Sequence, residues 1–201
     1  MVPLYTSVLT TEEYGTYDLA VSTVSLLIPI LSVNIVDGVM RYSMDSRYDR
    51  ADIFSIGLRR ISVAAFIFAA ILAANSVFHI TNVFAGEELL ILLYFISTLL
   101  YSLLTQFAKG CEAVKQMAIA GIISTVCLVG TNILLLLVFE LGVTGFFIAS
   151  CASQLIPAIY LAVRLEIWSY THLKISKKVQ AEVLKYSAPL VLTASKFFRF
   201  F

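Results

Sequence analysis

A chain of 201 residues that is 60% apolar, 13% charged and +1 in net charge, with a mean hydropathy of +0.92, is not an ordinary soluble domain. Soluble domains carry charge on roughly 25% of their residues. The near balance of charge leaves no basic face for a nucleic acid. Cys111, Cys127 and Cys151 stand apart without metal or redox spacing, and so read as small packing residues.

Five apolar stretches follow one another: Leu19–Val36, Ile61–Phe84, Leu89–Ala108, Met117–Phe139 and Leu141–Val163. Each is close to the ~20 residues that cross a ~30 Å hydrocarbon layer as a helix. Cations fall in alternate gaps. Arg41, Arg47, Arg50, Arg59 and Arg60 follow the first stretch, Lys109 and Lys115 the third, and Arg164, Lys174, Lys177, Lys178 and Lys185 the last. Around the junction of the second and third lie only His79, near the end of the second, and Glu87 and Glu88, and after the fourth only Glu140. Because Lys and Arg are retained on the cytoplasmic side, the gaps bearing Arg41, Lys109 and Arg164 are predicted inside, and those bearing Glu13, Glu87 and Glu140 outside. The expectation is an all-α, multi-pass protein of an inner membrane.

The first span contains Pro29, which removes a helical hydrogen bond and tends to kink a helix. Below it Asn34, Asp37 and Arg41 share a face, and Arg41 is placed to pair with the carboxylate. A snorkelling pair at the interface is the simpler alternative to a functional one. In the second span Ala65, Ala69 and Ala73 form a small-residue ridge suited to close helix contact. The third span carries the strongest signal. Tyr94, Thr98, Tyr101, Ser102, Thr105 and Lys109, with Gln106 beside them, form a polar stripe that predicts partner helices or water. Gly121, Thr125 and Asn132 repeat the pattern weakly in the fourth span. Ser150, Ser153, Gln154, Pro157 and Arg164 repeat it better in the fifth. Amides such as Asn132 and Gln154 also serve simply as glue between membrane helices, but polar faces on four helices together predict a shared polar cavity.

Beyond Arg164, the repeat of Ile175, Val179 and Val183 among lysines predicts an amphipathic basic helix lying on anionic headgroups or connecting two bundles. No cleavable leader is visible. Val2–Leu9 before the first loop, and the apolar run Ser187–Ala194 giving way to Lys196–Phe201, read as the ends of an interior piece of a longer transporter-like chain. Catalytic machinery is not evident: His79 and His172 are predicted on opposite sides, and no metal, P-loop or nucleophile motif occurs. No cofactor is expected.

Local patterns then converge. Pro3, Thr6 and the run Leu9-Thr-Thr-Glu-Glu-Tyr14-Gly15 resemble the first helix end and loop of the polysaccharide-repeat (Wzx-type) flippases of the multidrug/oligosaccharidyl-lipid/polysaccharide exporter superfamily. Asn34-Ile-Val-Asp37-Gly-Val-Met-Arg41-Tyr42 is similar to that family's Gly-x-x-x-Ala-x-x-Arg-Tyr/Phe exit from the second helix, with Asn34 and Gly38 where Gly and Ala are usual. Lys109-Gly110, Val114-Lys115 and Ala118 resemble its fourth-helix approach. Gly142-Val-Thr-Gly145 resembles its outer turn, and Lys185-Tyr186-Ser-Ala-Pro189-Leu190 the start of its seventh helix.

The resemblance implies helices two to six of one incomplete lobe of a two-lobe, MATE-like fold. Residues 1–163 would form the lobe, 164–185 the linker and 186–201 the start of the second lobe. It implies a function too: flipping an undecaprenyl-pyrophosphate-linked oligosaccharide across the bacterial cytoplasmic membrane, with this piece inactive without its second lobe. Membrane lipids, a polysaccharide polymerase and glycosyltransferases would be its partners. Substrate-cavity candidates are Asn34, Asp37, Arg41, Thr98, Tyr101, Gln106, Lys109, Asn132, Gln154 and Arg164. A cation-coupled multidrug exporter of the same superfamily is the alternative, disfavoured by the lack of a deep acidic residue. A membrane-embedded glycosyl- or acyltransferase is disfavoured by the separated histidines.

Overall fold

The computed structural model describes residues 11–78, 86–171 and 176–197, and these contain helices and turns but no strand. Val2–Leu9, His79, His172, Lys174, Ile175 and Phe198–Phe201 lie outside the described residues. The elements in chain order are α1 (Thr11–Ser32), α2 (Ile35–Ser43), α3 (Arg50–Phe78), α4 (Glu88–Gly110), α5 (Val114–Asn132), α6 (Gly142–Arg164) and α7 (Lys177–Phe197). A π-helical turn, Ile133–Val138, prolongs α5, and a 3₁₀ turn, Ile167–Tyr170, follows α6. Five segments are long and apolar enough to cross a membrane: Tyr14–Ser32, α3, α4, Val114–Val138 and α6. The described residues thus form an all-helical bundle whose five long apolar helices are compatible with a membrane.

The first span departs from expectation. Leu19–Val36 is not one helix, because α1 stops at Ser32 and α2 starts afresh at Ile35. Pro29 lacks an amide hydrogen, and its carbonyl accepts the Asn34 amide at 3.0 Å while the Val33 amide reaches Ile30 at 3.3 Å. This six-to-one and five-to-two pairing closes a helix C-terminus when the next residue is left-handed. Val33 (φ 56°) and Asn34 (φ 47°) both are. Asn tolerates that region, whereas β-branched Val33 is strained there by about 1–3 kcal/mol. Surrounding structure must therefore hold the break open. Ser32, Ile35, Gly38 and Val39 are buried around it.

Helix α3 begins well before the predicted Ile61. The Asp49 carboxylate accepts the Ala51 amide at 2.9 Å and caps the start. Arg59 and Arg60 end the charge-free window but not the helix, since backbone hydrogen bonding ignores the membrane surface. At 29 residues the helix is about 43 Å long, against about 30 Å of hydrocarbon. Helix α1 likewise begins at Thr11, well before the predicted Leu19, so the segment around Glu13 expected as an outside loop is helical, and the predicted Phe84 end of the second span lies outside the described residues. The boundaries of α4 and α6, and of α5 with its π-helical turn, agree closely with expectation; in that turn the Phe139 amide reaches Leu134 at 3.1 Å.

Helix α4 is the centre, packed against α1, α2, α3, α5 and α6. Its Phe95, Leu99, Leu103 and Phe107 recur every fourth residue and are buried. Phe95 stacks on Phe68 of α3 with ring centres 4.3 Å apart, and Phe107 meets Phe54 at 4.7 Å. These rings decide which face of α3 turns inward. Gly57, Ile61, Ala64, Phe68 and Leu72 form its seam. The predicted alanine ridge is rotated away: Ala65 and Ala69 are half-buried and Ala73 is exposed. Burying larger apolar surface outweighs the close approach that alanines permit. Apolar side chains such as Phe66, Ile122, Val126 and Val138 remain exposed on the outside of the bundle, as hydrocarbon requires.

Candidate functional site

The turns sort into two ends. At one, the Thr144 hydroxyl donates to Glu87 Oε1 at 2.8 Å and ties the start of α6 to the start of α4. At the other, Gly110 of α4 presses on Met40 and Ser43 of α2, where a Cβ would lie 2.8 Å from the Met40 carbonyl. Phe107 meets Tyr170 at 5.3 Å, and the Ser55 hydroxyl donates to the Tyr170 carbonyl at 3.1 Å. Arg41, Lys109 and Arg164 all belong to helix ends on this cation-rich side.

The break between α1 and α2 creates a polar cluster just inside that end. Asn34 Nδ2 donates to Asp37 Oδ2 at 2.6 Å, and Gln106 Nε2 of α4 donates to Asp37 Oδ1 at 3.0 Å. Both carboxylate oxygens are thus engaged by amides. The expected pairing with Arg41 is absent. Among the described residues the ion pair within 4.0 Å is Arg47–Asp45, and the Arg41 guanidinium lies 4.6 Å over the Tyr186 ring of α7. Asp37 and Arg41 are one turn apart on the same helix, but both Asp37 oxygens are already taken by Asn34 and Gln106, and the exposed Arg41 lies against Tyr186 instead.

Next to this cluster a cleft of ≈ 280 Å³ is lined by Val36, Tyr101, Ser102, Thr105, Gln106, Lys109 and Met117. The lower half of the α4 stripe therefore does line a polar space, with Gln106 serving both cluster and cleft. The Thr105 hydroxyl oxygen is buried without a partner among the described residues. The upper half of the stripe behaves differently. Thr98 donates to the Tyr94 carbonyl at 2.8 Å, which satisfies it within its own helix. Ser97, which the stripe did not include, is fully buried and bonds the same carbonyl at 2.9 Å.

The remaining candidates are dispersed. Asn132 is fully buried at the start of the π-helical turn. The Gln154 amide oxygen is buried on α6 with no partner among the described residues. Arg41 and Arg164 are exposed. None of these four lines the cleft, so the structure brings together Asn34, Asp37, Tyr101, Gln106 and Lys109 alone. A second, apolar space of ≈ 190 Å³ lies between α1, α3 and α4, walled by Leu27, Phe68, Leu72 and Ile91.

Sequence reasoning missed one polar group, where α7 docks. The Tyr48 hydroxyl donates to Glu182 Oε2 at 2.8 Å, and Tyr42 donates to the Glu182 carbonyl at 3.3 Å. The Glu182 bond pushes the Tyr48 phenol above its ordinary value, while Arg47 holds the Asp45 carboxyl down at about 2. Burial raises the Cys111 thiol. The available signal was Glu182 itself, an acid among lysines.

No family model, curated protein or solved structure matches this chain.

Proposed function

We propose that this bundle is one lobe of a MATE-like exporter that moves an undecaprenyl-pyrophosphate-linked oligosaccharide from the inner to the outer leaflet of a bacterial cytoplasmic membrane. The cleft on the cation-rich side of α4 carries this reading: it offers hydroxyls, an amide and one ammonium at the end of an apolar span. Sugars and pyrophosphate cannot enter hydrocarbon unaided, because a polar group without partners there costs several kcal/mol. Lys109 supplies charge-assisted bonds of about 1.5–3 kcal/mol to a phosphate oxygen. The prenyl chain stays in lipid, and rocking of this lobe against a second one opens the cavity to each side in turn. Glycosyltransferases would load the carrier and a polymerase would receive it. The local sequence patterns at Asn34–Tyr42 and Lys185–Leu190 supply the substrate class.

Vesicles carrying this lobe joined to a second lobe, with a fluorescent prenyl-linked oligosaccharide, test this, with lectin access from outside as the readout. Lys109→Ala is expected to slow exposure of the glycan at least tenfold, and Lys177→Ala to change it little, since charge on a solvated helix face is screened. Equal rates for the two variants, or exposure no faster than in empty vesicles, overturn the proposal.

One observation favours the alternative, a cation-coupled exporter: Asp37 sits at a broken helix, the arrangement from which transporters build ion sites. A sodium or proton gradient that drives efflux of a dye, abolished by Asp37→Asn, would decide for it.

A further inference from the structure

Gln106 has two faces, and the fold chooses between them. A glutamine amide can present either its carbonyl or its NH₂ in a given direction, and only its partners tell the two apart. A carboxylate accepts and does not donate. With Asp37 Oδ1 taking Gln106 Nε2 and Oδ2 taking Asn34 Nδ2, the nitrogen end of Gln106 is locked towards α2. Its carbonyl oxygen carries no hydrogen bond among the described residues and is not one of the sealed, partnerless atoms, so it is open to the cleft that Gln106 lines. Lys109 lies three residues on, hence on the same face of α4, and lines the same cleft.

The anchor is itself held from behind. Gly38 packs against Ser187 and Val183 of α7 so closely that any Cβ would collide with the Ser187 hydroxyl. Asp37, one residue away, cannot retreat from α4 without moving α7.

On the reading of this cleft as the substrate site, we infer that Asp37 and Asn34 are positioning residues. They fix Gln106 as a hydrogen-bond acceptor beside the Lys109 cation. The cleft then selects a ligand with a hydrogen-bond donor next to an anionic group. A sugar phosphate, with a hydroxyl or acetamido N–H near the phosphate, has that chemistry; inorganic phosphate fills only the Lys109 position. An exchangeable amide would accept either pattern, whereas a locked one does not.

Affinities measured on the full chain in lipid nanodiscs test this with three probes. They are inorganic phosphate, soluble N-acetylglucosamine 1-phosphate and the same headgroup on a short polyprenyl chain. The readout is the ratio of Kd values, phosphate over sugar phosphate, which a merely structural role would not move. In the wild type one well-placed bond makes that ratio about tenfold. Asp37→Asn keeps the shape but lets Gln106 turn over. Its ratio falls to about twofold or less, while phosphate binds at least as well because a negative charge has gone. Gln106→Met, which removes the acceptor without a charge change, lowers the ratio in the same way, and Lys109→Gln weakens all three probes. Tighter binding of the prenyl-linked headgroup assigns a lipid source and equal binding a free one; either sustains the inference if Asp37→Asn collapses the ratio. An unchanged ratio in Asp37→Asn, a uniform loss across probes in that variant, or no binding of any probe overturns it. Translocation that fails when this lobe is joined to a second one and keeps the ratio sinks the exporter reading alone. A lost ratio with intact translocation sinks this one.

Discussion

At the scale of single residues, the informative side chains are those whose partners differ from the obvious ones. Asp37 is served by two amides rather than by the arginine one turn away, and that arginine lies over Tyr186 instead. The Tyr48–Glu182 bond has a definite pH signature. The phenol value is raised above its ordinary value of about 10, so the folded form binds that proton more tightly than the unfolded chain. Its contribution is therefore fully present below about pH 10 and is lost as pH climbs through the folded value. Loosening of α7 above pH 10, followed by protease access near Lys177, is expected in the wild type. Tyr48→Phe is expected to remove that alkaline step; a step of the same size in the variant counts against the bond. Cys111 provides a separate check. Burial raises its thiol, and the thiolate is the nucleophile, so maleimide labelling at neutral pH should be several-fold slower than at an added surface cysteine and should accelerate on alkalinisation. Labelling as fast as the surface thiol would mean that this turn is open.

Among the elements, the short helix α2 has the largest influence. It exists because Pro29 and two left-handed residues end α1, and it is small enough to sit between α4 and α7. Both contacts depend on a missing side chain, Gly110 on the α4 side and Gly38 on its own face towards α7. Gly38→Leu is expected to displace α7 and lower stability by about 1–3 kcal/mol, the usual cost of overpacking, seen as a fall in melting temperature in detergent. Gly15→Ala, where nothing lies within 4 Å, is the control and should melt at or above the wild-type temperature. Equal melting of Gly38→Leu and wild type would show that α7 is not docked there.

At the level of the whole molecule, the two ends of the bundle differ in charge, and the structure closes each with its own contacts: Glu87 with Thr144 at one, Gly110, Ser55 and Tyr170 at the other. Cysteines placed at Glu140 and at Asp49 or Ser176, all exposed positions, should react with an impermeant reagent from opposite faces of a sealed vesicle. The bias of cations predicts Glu140 on the outside in cells. Reaction of Asp49 and Glu140 from the same face would dismantle the five-span topology, and with it the proposed position of Lys109 at the inner mouth.

The number and order of the spans were legible in the chain because hydrocarbon thickness, apolar run length and cation bias are properties of local sequence, whereas the starts of α1 and α3 were not, since helical hydrogen bonding continues past the apolar window. The lower part of the α4 stripe was legible for the same reason: Tyr101, Ser102, Thr105, Gln106 and Lys109 share a face at helical spacing, whatever they meet. What local pattern could not settle was which of two competing faces turns inward. The alanines of α3 and the rings of Phe54 and Phe68 both make credible seams, and only the facing Phe95 and Phe107 of α4 decide in favour of the rings. The break at Val33 was out of reach for a similar reason. Pro29 predicts a kink, but a β-branched residue in the left-handed region is unfavourable by itself and persists only because α4 and α7 hold the restarted helix in place. The partnership of Asp37 with Gln106 joins residues 69 positions apart. Spacing along one helix shows which side chains share a face; which helix that face meets is decided by the packing of the whole bundle.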